Sequence, residues 1–339
     1  LVYLKHQQQG GRAESAWFHR LDPFPKMPLF VSRIEPRIEP EKWALISVSP
    51  GRPRAVSCSI EGNHMSLDLH ALLQPVRQIA ISAGKAILEF YGRELPIEVK
   101  ADNSPLTMAD KASHRLITAE LAQLTPQIPV VSEESAQGEA ISLASDQWLW
   151  LVDPLDGTKE FIKQTGQFTV NIGLIHNGYP VFGVIHVPVL DLSYLGVHSD
   201  ADQGAWVQKG EDHPESIQTR RANLEGLTVV ASRDHAGPVV EAFLKRLAGA
   251  DVTSMGSSLK FCLVAEGKAD FYPRVVPTFQ WDTAAAQAIL EAAGGHLTEL
   301  DGQRLEYRKD RLRNPSVLAY GDDTTDWPTF FAHASTGPK

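Results

Sequence analysis

From residue 65 onward the hydrophobic positions follow first one period and then another. Leu72, Val76, Ile79, Ala80, Ala83, Ile87 and Phe90 recur at spacings of three, four and one, which is one face of an α-helix. Pro75 falls in the first turns, where a proline is tolerated, and Gly92 closes the helix. A second helix is predicted from about Met108 to Leu124, with Ala109, Ala112, Leu116, Ala119 and Ala122 on overlapping faces. From Trp148 to Gln208 the pattern becomes that of strands. Residues 168–175 and 179–185 are β-rich and flank Asn177-Gly178, a strong hairpin signal. Segments 192–197 and 204–208 continue an antiparallel meander.

The polar stretch Pro214–Asn223 reads as a linker, after which strands and helices alternate. Residues 227–232 and 270–273 are strand-like, while 239–247, 257–266 and 282–293 are helical, the last ended by Gly294-Gly295. The expected organisation is an N-terminal α+β domain with an antiparallel sheet (65–218), a C-terminal α/β domain (219–330) and a tail (331–339).

Residues 1–64 lack sustained periodicity and carry Gln7-Gln8-Gln9 and several prolines. They read as a disordered extension, either upstream sequence joined ahead of a start at Met65 or a regulatory arm. No apolar h-region of a signal peptide is visible there. Hydrophobic residues at 43% and charged residues at 22% give a globular composition, and no stretch reaches the length of a membrane span. The net charge of −9 argues against a general nucleic-acid surface. It does allow a small anionic substrate wherever local cations or metal reverse the field. Cys58 and Cys262 are too few for a disulfide framework and read as thiols.

Carboxylates gather in four places: Asp102 and Asp110, Glu133-Glu134, Asp153-Pro-Leu-Asp-Gly-Thr158, and Asp282 after Trp281. Each has a plain reading: a turn before a helix, an early-turn acid, a solvated pair, a turn, and a helix N-cap. Taken together they suit magnesium, which takes oxygen ligands and keeps several waters. Asp153 ends the apolar run Trp148–Val152, Pro154 stops the ladder and Gly157 permits a tight turn. Asp153 and Asp156 can then face one point with the Leu155 carbonyl between them. Asp-x-Asp phosphatases use the first Asp as a nucleophile. Here two residues separate Asp153 from Asp156, so a metal-activated water is favoured over an aspartyl-phosphate.

The combination Glu133-Glu-Ser, Asp153-Pro-Leu-Asp-Gly-Thr and Trp281-Asp-Thr-Ala-Ala resembles the inositol monophosphatase superfamily, over roughly residues 67–327. Within it, Gly256-Ser-Ser-Leu-Lys260 and Tyr272-Pro-Arg274 resemble the CysQ group of 3′(2′),5′-bisphosphate nucleotidases. The resemblance implies an α+β fold, a layered αβαβα sandwich. It implies one magnesium on Glu133, Asp153 and the Leu155 carbonyl, and a second on Asp153, Asp156 and Asp282. A weaker third would lie near Asp102 and Glu133. Thr158 with Asp102, and Glu133, would serve the attacking water. Gly157 and Thr158 would offer backbone donors to the scissile phosphate. Ser257, Lys260, Arg274 and, more weakly, His235 would hold the rest of a 3′-phosphoadenosine nucleotide.

The implied reaction is hydrolysis of adenosine 3′,5′-bisphosphate to AMP and phosphate, inhibited by lithium, in the recycling branch of sulfur assimilation. The implied location is cytoplasmic, peripheral on the inner membrane's cytoplasmic face. A broader inositol or sugar phosphatase, and an inactive magnesium-dependent nucleotide binder, are the competing readings. The partner is a small molecule in each case.

Overall fold

The computed structural model describes residues 58–61, 64–93, 98–99, 105–135, 148–200, 202–231, 237–247, 249–307 and 311–336. A short antiparallel hairpin, β1 (Cys58–Glu61) and β2 (His64–Leu67), leads into α1 (Leu69–Leu88). Among the described residues, regular structure begins at Cys58, ahead of the boundary at Met65, because residues 58–61 find strand partners in 64–67. Residues 1–57 lie outside the described part. Asp68 caps α1 by accepting the Ala71 N–H at 3.0 Å. The small pair β3 (Glu98–Val99) and β4 (Pro105–Leu106) precedes α2 (Met108–Leu124), whose bounds match the periodicity.

The next segment builds a seven-stranded sheet. Its strands are β5 (Val130–Ser132), β6 (Trp148–Asp156), β7 (Thr169–His176), β8 (Tyr179–Val187), β9 (Leu192–His198), β10 (Gln203–Lys209) and β11 (Glu215–Ser216), in spatial order β11-β10-β9-β8-β7-β6-β5. A single turn of helix, α3 (Thr158–Ile162), follows β6. Asn177 and Gly178 both take positive φ, 52° and 81°, the signature of a two-residue hairpin turn. The sheet is antiparallel except at β5, which pairs parallel to β6. The segment expected as a linker contributes β11, which pairs with β10 and places Ile217 in the core.

The remaining elements are β12 (Thr228–Ala231), α4 (Gly237–Arg246), β13 (Asp251–Ser254), α5 (Leu259–Ala265), β14 (Phe271–Arg274), α6 (Gln280–Ala292), β15 (His296–Glu299), β16 (Val317–Tyr320) and α7 (Trp327–Thr336). They form a mixed sheet in the order β13-β12-β14-β16-β15. One core cluster joins residues of both sheets through α5 and α6, including Leu151, Ile185, Val264, Ala285, Tyr272 and Ala319. A second covers the far face of the smaller sheet with Phe243 of α4 and Trp327 and Phe331 of α7. Trp327 stacks on Phe271 with centroids 4.7 Å apart. Residues 331–336 are thus part of a packed helix rather than a tail, because an aromatic pair at its start and Phe331 bury against the sheet. The layers run helix, sheet, helix, sheet, helix. Among the described residues no helix is long and apolar enough to cross a membrane.

The central helix α6 is buried on nearly every side. A helix between two sheets has no solvent face and must be thin to fit. Ala284, Ala285, Ala286 and Ala288 supply the thinness, and glycines supply the seat. Gly173, Gly183 and Gly196 stand directly opposite one another on β7, β8 and β9. A Cβ on Gly173 would lie 2.7 Å from the Ala285 nitrogen, and one on Gly196 would lie 2.6 Å from the Ile289 Cα. One on Gly183 would run into the Ala285 carbonyl oxygen. Backbone cannot yield as a side-chain tip can. Gly183→Ala is therefore expected to cost about 3 kcal/mol by overpacking, seen as a fall of roughly 5–10 °C in thermal unfolding. An unchanged midpoint would show that α6 is not seated on this row.

Candidate active site

Asp153 and Asp156 stand three apart on β6, and in a regular strand that spacing sends side chains to opposite faces. The pairing is irregular there. Asp153 lies opposite Asn171 and Asp156 opposite Thr169, so β6 carries one residue more than β7. Asn171 and Thr169 are two apart and share a face. The bulge therefore brings both carboxylates to that face. Pro154 sits within it, lacking an N–H to lose, and its carbonyl accepts the Ser113 hydroxyl at 2.7 Å. Asp153 Oδ1 accepts the Leu155 N–H at 3.0 Å. Gly157 then turns the chain with φ 92° into α3.

Thr158 opens α3, and its hydroxyl lies 3.3 Å from Asp110 Oδ1 and 3.4 Å from the Leu155 carbonyl oxygen. The expected partner was Asp102, which lies outside the described residues. Among the described residues, the carboxylate beside the Thr158 hydroxyl is that of Asp110. Asp110 is held by the start of α2: its Oδ2 accepts the Thr107 N–H at 2.8 Å and the Thr107 hydroxyl at 2.6 Å. The other oxygen is turned toward Thr158. The signal for Asp110 was present as Thr107-x-x-Asp110, a capping-box spacing, which reads as purely structural until Thr158 is placed beside it.

Glu133 follows β5, and its N–H extends the ladder to the Val152 carbonyl at 3.0 Å. Beside it Ser132 Oγ meets His114 Nδ1 at 2.8 Å. Asp282 is the third residue of α6 rather than its N-cap. Its Oδ2 accepts the Phe279 N–H at 2.8 Å, as an acid three residues into a helix does. Burial first, then the charges of Asp156 and Glu133, hold the Asp282 carboxyl well above its usual range; the Phe279 N–H and Arg274 act the other way. Carboxylates from β6, α6 and the end of β5 therefore share one electrostatic field. Among the described residues, no group of three or more carboxylate, imidazole or thiol side chains is gathered so as to hold a metal by itself.

The Gly256–Arg274 segment lies against the same place. Its helix begins at Leu259, two residues later than the periodicity suggests, because Ser257 takes a left-handed φ of 48°. A Cβ on Gly256 would lie 2.7 Å from the Gln167 carbonyl oxygen, so only glycine lets this turn approach. Lys260 is buried rather than solvated, and its ammonium donates to the carbonyls of Ser257 at 2.7 Å and Met255 at 3.2 Å. Burial brings its pKa down to about 8, with Asp156 opposing and Arg274 reinforcing the shift. Ser257 Oγ and Arg274 Nε are buried without a hydrogen-bond partner among the described residues. His235 lies outside the described residues.

Residues 68–325 match the model of the inositol monophosphatase family. The chain belongs to that family. Among its curated members, the 3′(2′),5′-bisphosphate nucleotidase CysQ of Escherichia coli (strain K12) is 46% identical over 247 residues, 72% of this chain and 97% of that protein. The CysQ nucleotidase of Haemophilus influenzae is 34% identical over 79% of this chain and 98% of its own length. Of solved family structures, CysQ from Bacteroides thetaiotaomicron superposes with a TM-score of 0.61 at 38% identity, covering 74% of this chain and 97% of that one. An inositol monophosphatase from Zymomonas mobilis gives a TM-score of 0.63 at 25% identity, covering 80% and 100%.

The family is metal-dependent in general, and the donors here fit a hard cation. They are carboxylates and a carbonyl, which suit magnesium better than softer metals. Every hydrogen bond to the carboxylates of Asp156 and Asp282 falls on Oδ2, so Oδ1 of each accepts none among the described residues. An acid whose pKa is raised in the fold adds stability below its unfolded value and loses it as pH rises through the folded one. Asp282→Asn is accordingly expected to raise the thermal midpoint of the metal-free protein at pH 7–8, with no gain near pH 4. The amide oxygen keeps the Phe279 bond. A lower midpoint at neutral pH would show that Asp282 is not strained by its neighbours.

Proposed function

We infer that the chain is a magnesium-dependent 3′(2′),5′-bisphosphate nucleotidase that hydrolyses adenosine 3′,5′-bisphosphate to AMP and phosphate. The observation that carries the reading is the meeting of two charge systems. Lys260 acts electrostatically on Asp156 and Asp282, and Arg274 on Asp282, the carboxylates that would hold metal. A substrate with one phosphate to lose and one to keep needs both. The similarity to CysQ nucleotidases over most of the chain supports the same choice.

Magnesium, two ions and a weaker third, would supply positive charge for the scissile phosphate and acidify the attacking water. Glu133, Asp153, Asp156, Asp282 and the Leu155 carbonyl would hold it. The protein's own contribution is orientation. Thr158, donating to Asp110, leaves its lone pairs to accept from the water and so fixes the line of attack. Gly157 and Thr158 would present backbone N–H groups to the phosphate, and Glu133 would accept from the water. The retained phosphate meets Arg274 and Lys260. Lys260 spends two of its three protons on Met255 and Ser257, and the third remains for a phosphate oxygen.

Two experiments test this. The first is phosphate release from adenosine 3′,5′-bisphosphate and from inositol monophosphate with magnesium, across pH. Lys260 loses its charge as pH rises through about 8. KM for the bisphosphate should therefore climb above that pH, and Lys260→Ala should raise KM about tenfold or more below it and flatten the profile. Equal turnover of the two substrates would overturn the nucleotidase reading. The second compares Asp110→Ala with Thr107→Ala. Both weaken the α2 cap by about 1 kcal/mol, but only the first removes the Thr158 contact. A fall in kcat of about 100-fold or more is expected for Asp110→Ala alone. Equal losses in both would reduce Asp110 to a helix cap.

A further inference from the structure

The metal side and the substrate side of the site meet at one residue that neither motif spacing nor charge singles out. Ser258 is buried, 1% exposed, between Ser257 and the start of α5. Its N–H donates to Asp156 Oδ2 at 2.6 Å. Its hydroxyl lies 2.7 Å from the same oxygen and 2.9 Å from the Asp282 carbonyl. One proton serves both acceptors. The hydroxyl oxygen in turn accepts Asn171 Nδ2 at 2.8 Å, and that amide also donates to Asp156 Oδ2 at 3.2 Å. Thr169 Oγ1 donates to Asn171 Oδ1 at 2.8 Å, which decides which end of the amide faces the carboxylate.

Asp156 Oδ2 thus accepts from three protein donors, and they come from β7 and from the turn before α5. A carboxylate held this way cannot rotate. The left-handed turn at Ser257 lets consecutive groups, the Ser258 N–H and hydroxyl, reach one oxygen. Through the Asp282 carbonyl the same side chain also reaches the first turn of α6.

We propose that Ser258 is a positioning residue that holds Asp156 of β6 and Asp282 of α6 in register for one shared cation, leaving Asp156 Oδ1 for the ion. It also ties that register to the segment bearing Lys260 and Arg274. The inference rests on the metal reading given above. Groups that orient metal ligands typically contribute 10–100-fold in affinity or activity. Ser258 therefore acts on metal affinity first and on substrate only through it.

The test is calorimetric titration of the purified full chain with Mg²⁺ alone, in the wild type and in Ser258→Ala, Asn171→Ala, Asp156→Asn and the Ser258→Ala/Asp156→Asn double variant, with thermal midpoints as the check of folding. Ser258→Ala should weaken Mg²⁺ binding about tenfold or more. Its kcat should return to within a few-fold of wild type at saturating Mg²⁺. Asn171→Ala should weaken binding in the same direction by less, and it carries the test if Ser258→Ala does not fold. The double variant should lose little beyond Asp156→Asn, since both changes act through one carboxylate. Wild-type Mg²⁺ affinity in both Ser258→Ala and Asn171→Ala, with affinity lost in Asp156→Asn, would overturn the positioning role and leave the metal reading intact. Wild-type affinity in Asp156→Asn would overturn the metal reading beneath it.

Discussion

The close approach of α6 to the row Gly173, Gly183 and Gly196 is the constraint on which the rest of this structure depends. It lets one helix serve as the common wall of two sheets. It also sets the height of the helix N-terminus above the strands, and Asp282 sits on that first turn. The other end of the fit is made by Asn314. It donates to the Phe279 carbonyl at 2.8 Å and to Thr278 and Thr283 hydroxyls at 3.1 Å and 2.8 Å. A helix seated by backbone contact and pinned at its start has no freedom to slide. A carboxylate on it can then be held at fixed distance from carboxylates on β6, which mutual repulsion would otherwise drive apart.

Much of the architecture is legible in the order of residues. Helices α1 and α2 and the hairpin at Asn177-Gly178 announce themselves by period and turn chemistry, because those signals are local. What was hidden depends on partners distant in sequence. β5 and β13 are short edge or near-edge strands whose pairing, not composition, makes them strands. β11 hides in a polar stretch because an edge strand need bury only one neighbour, Ile217. α7 was not predicted, and residues 331–339 read as a tail, because its anchor, Trp327 on Phe271, is a contact across 56 positions that no window contains.

The site divides in the same way. The Asp153–Thr158 motif could be read as metal chemistry, but the reason its two acids cooperate is a bulge, and a bulge is a property of the pair of strands. Asp110 looked like a capping acid and is one; its second oxygen acquires a role only when α3 is folded against α2. Lysines are mostly solvated, and nothing in the sequence around Lys260 shows that it is buried. Its burial goes with the turn at Gly256 and Ser257, where the Met255 and Ser257 carbonyls solvate the ammonium in place of water. In each case the residue type gave the chemistry and the tertiary fold gave the partner.

On the proposed function, the burial of Lys260 bears on how discrimination would be achieved. A surface lysine would attract any phosphate through screened, long-range attraction. A desolvated one, with its pKa brought to about 8 and two protons engaged by carbonyls, gains most from an anion that reaches it directly. A monophosphate held by metal at the carboxylates cannot do so with a second anionic group. Binding energy from the retained phosphate would then be available to hold the scissile one in line, which is how remote contacts raise the rate rather than the affinity alone. On that reading, the separation of labour between a metal-holding field of carboxylates and a buried cation behind it would make the spacing of the substrate's two phosphates the quantity that is read.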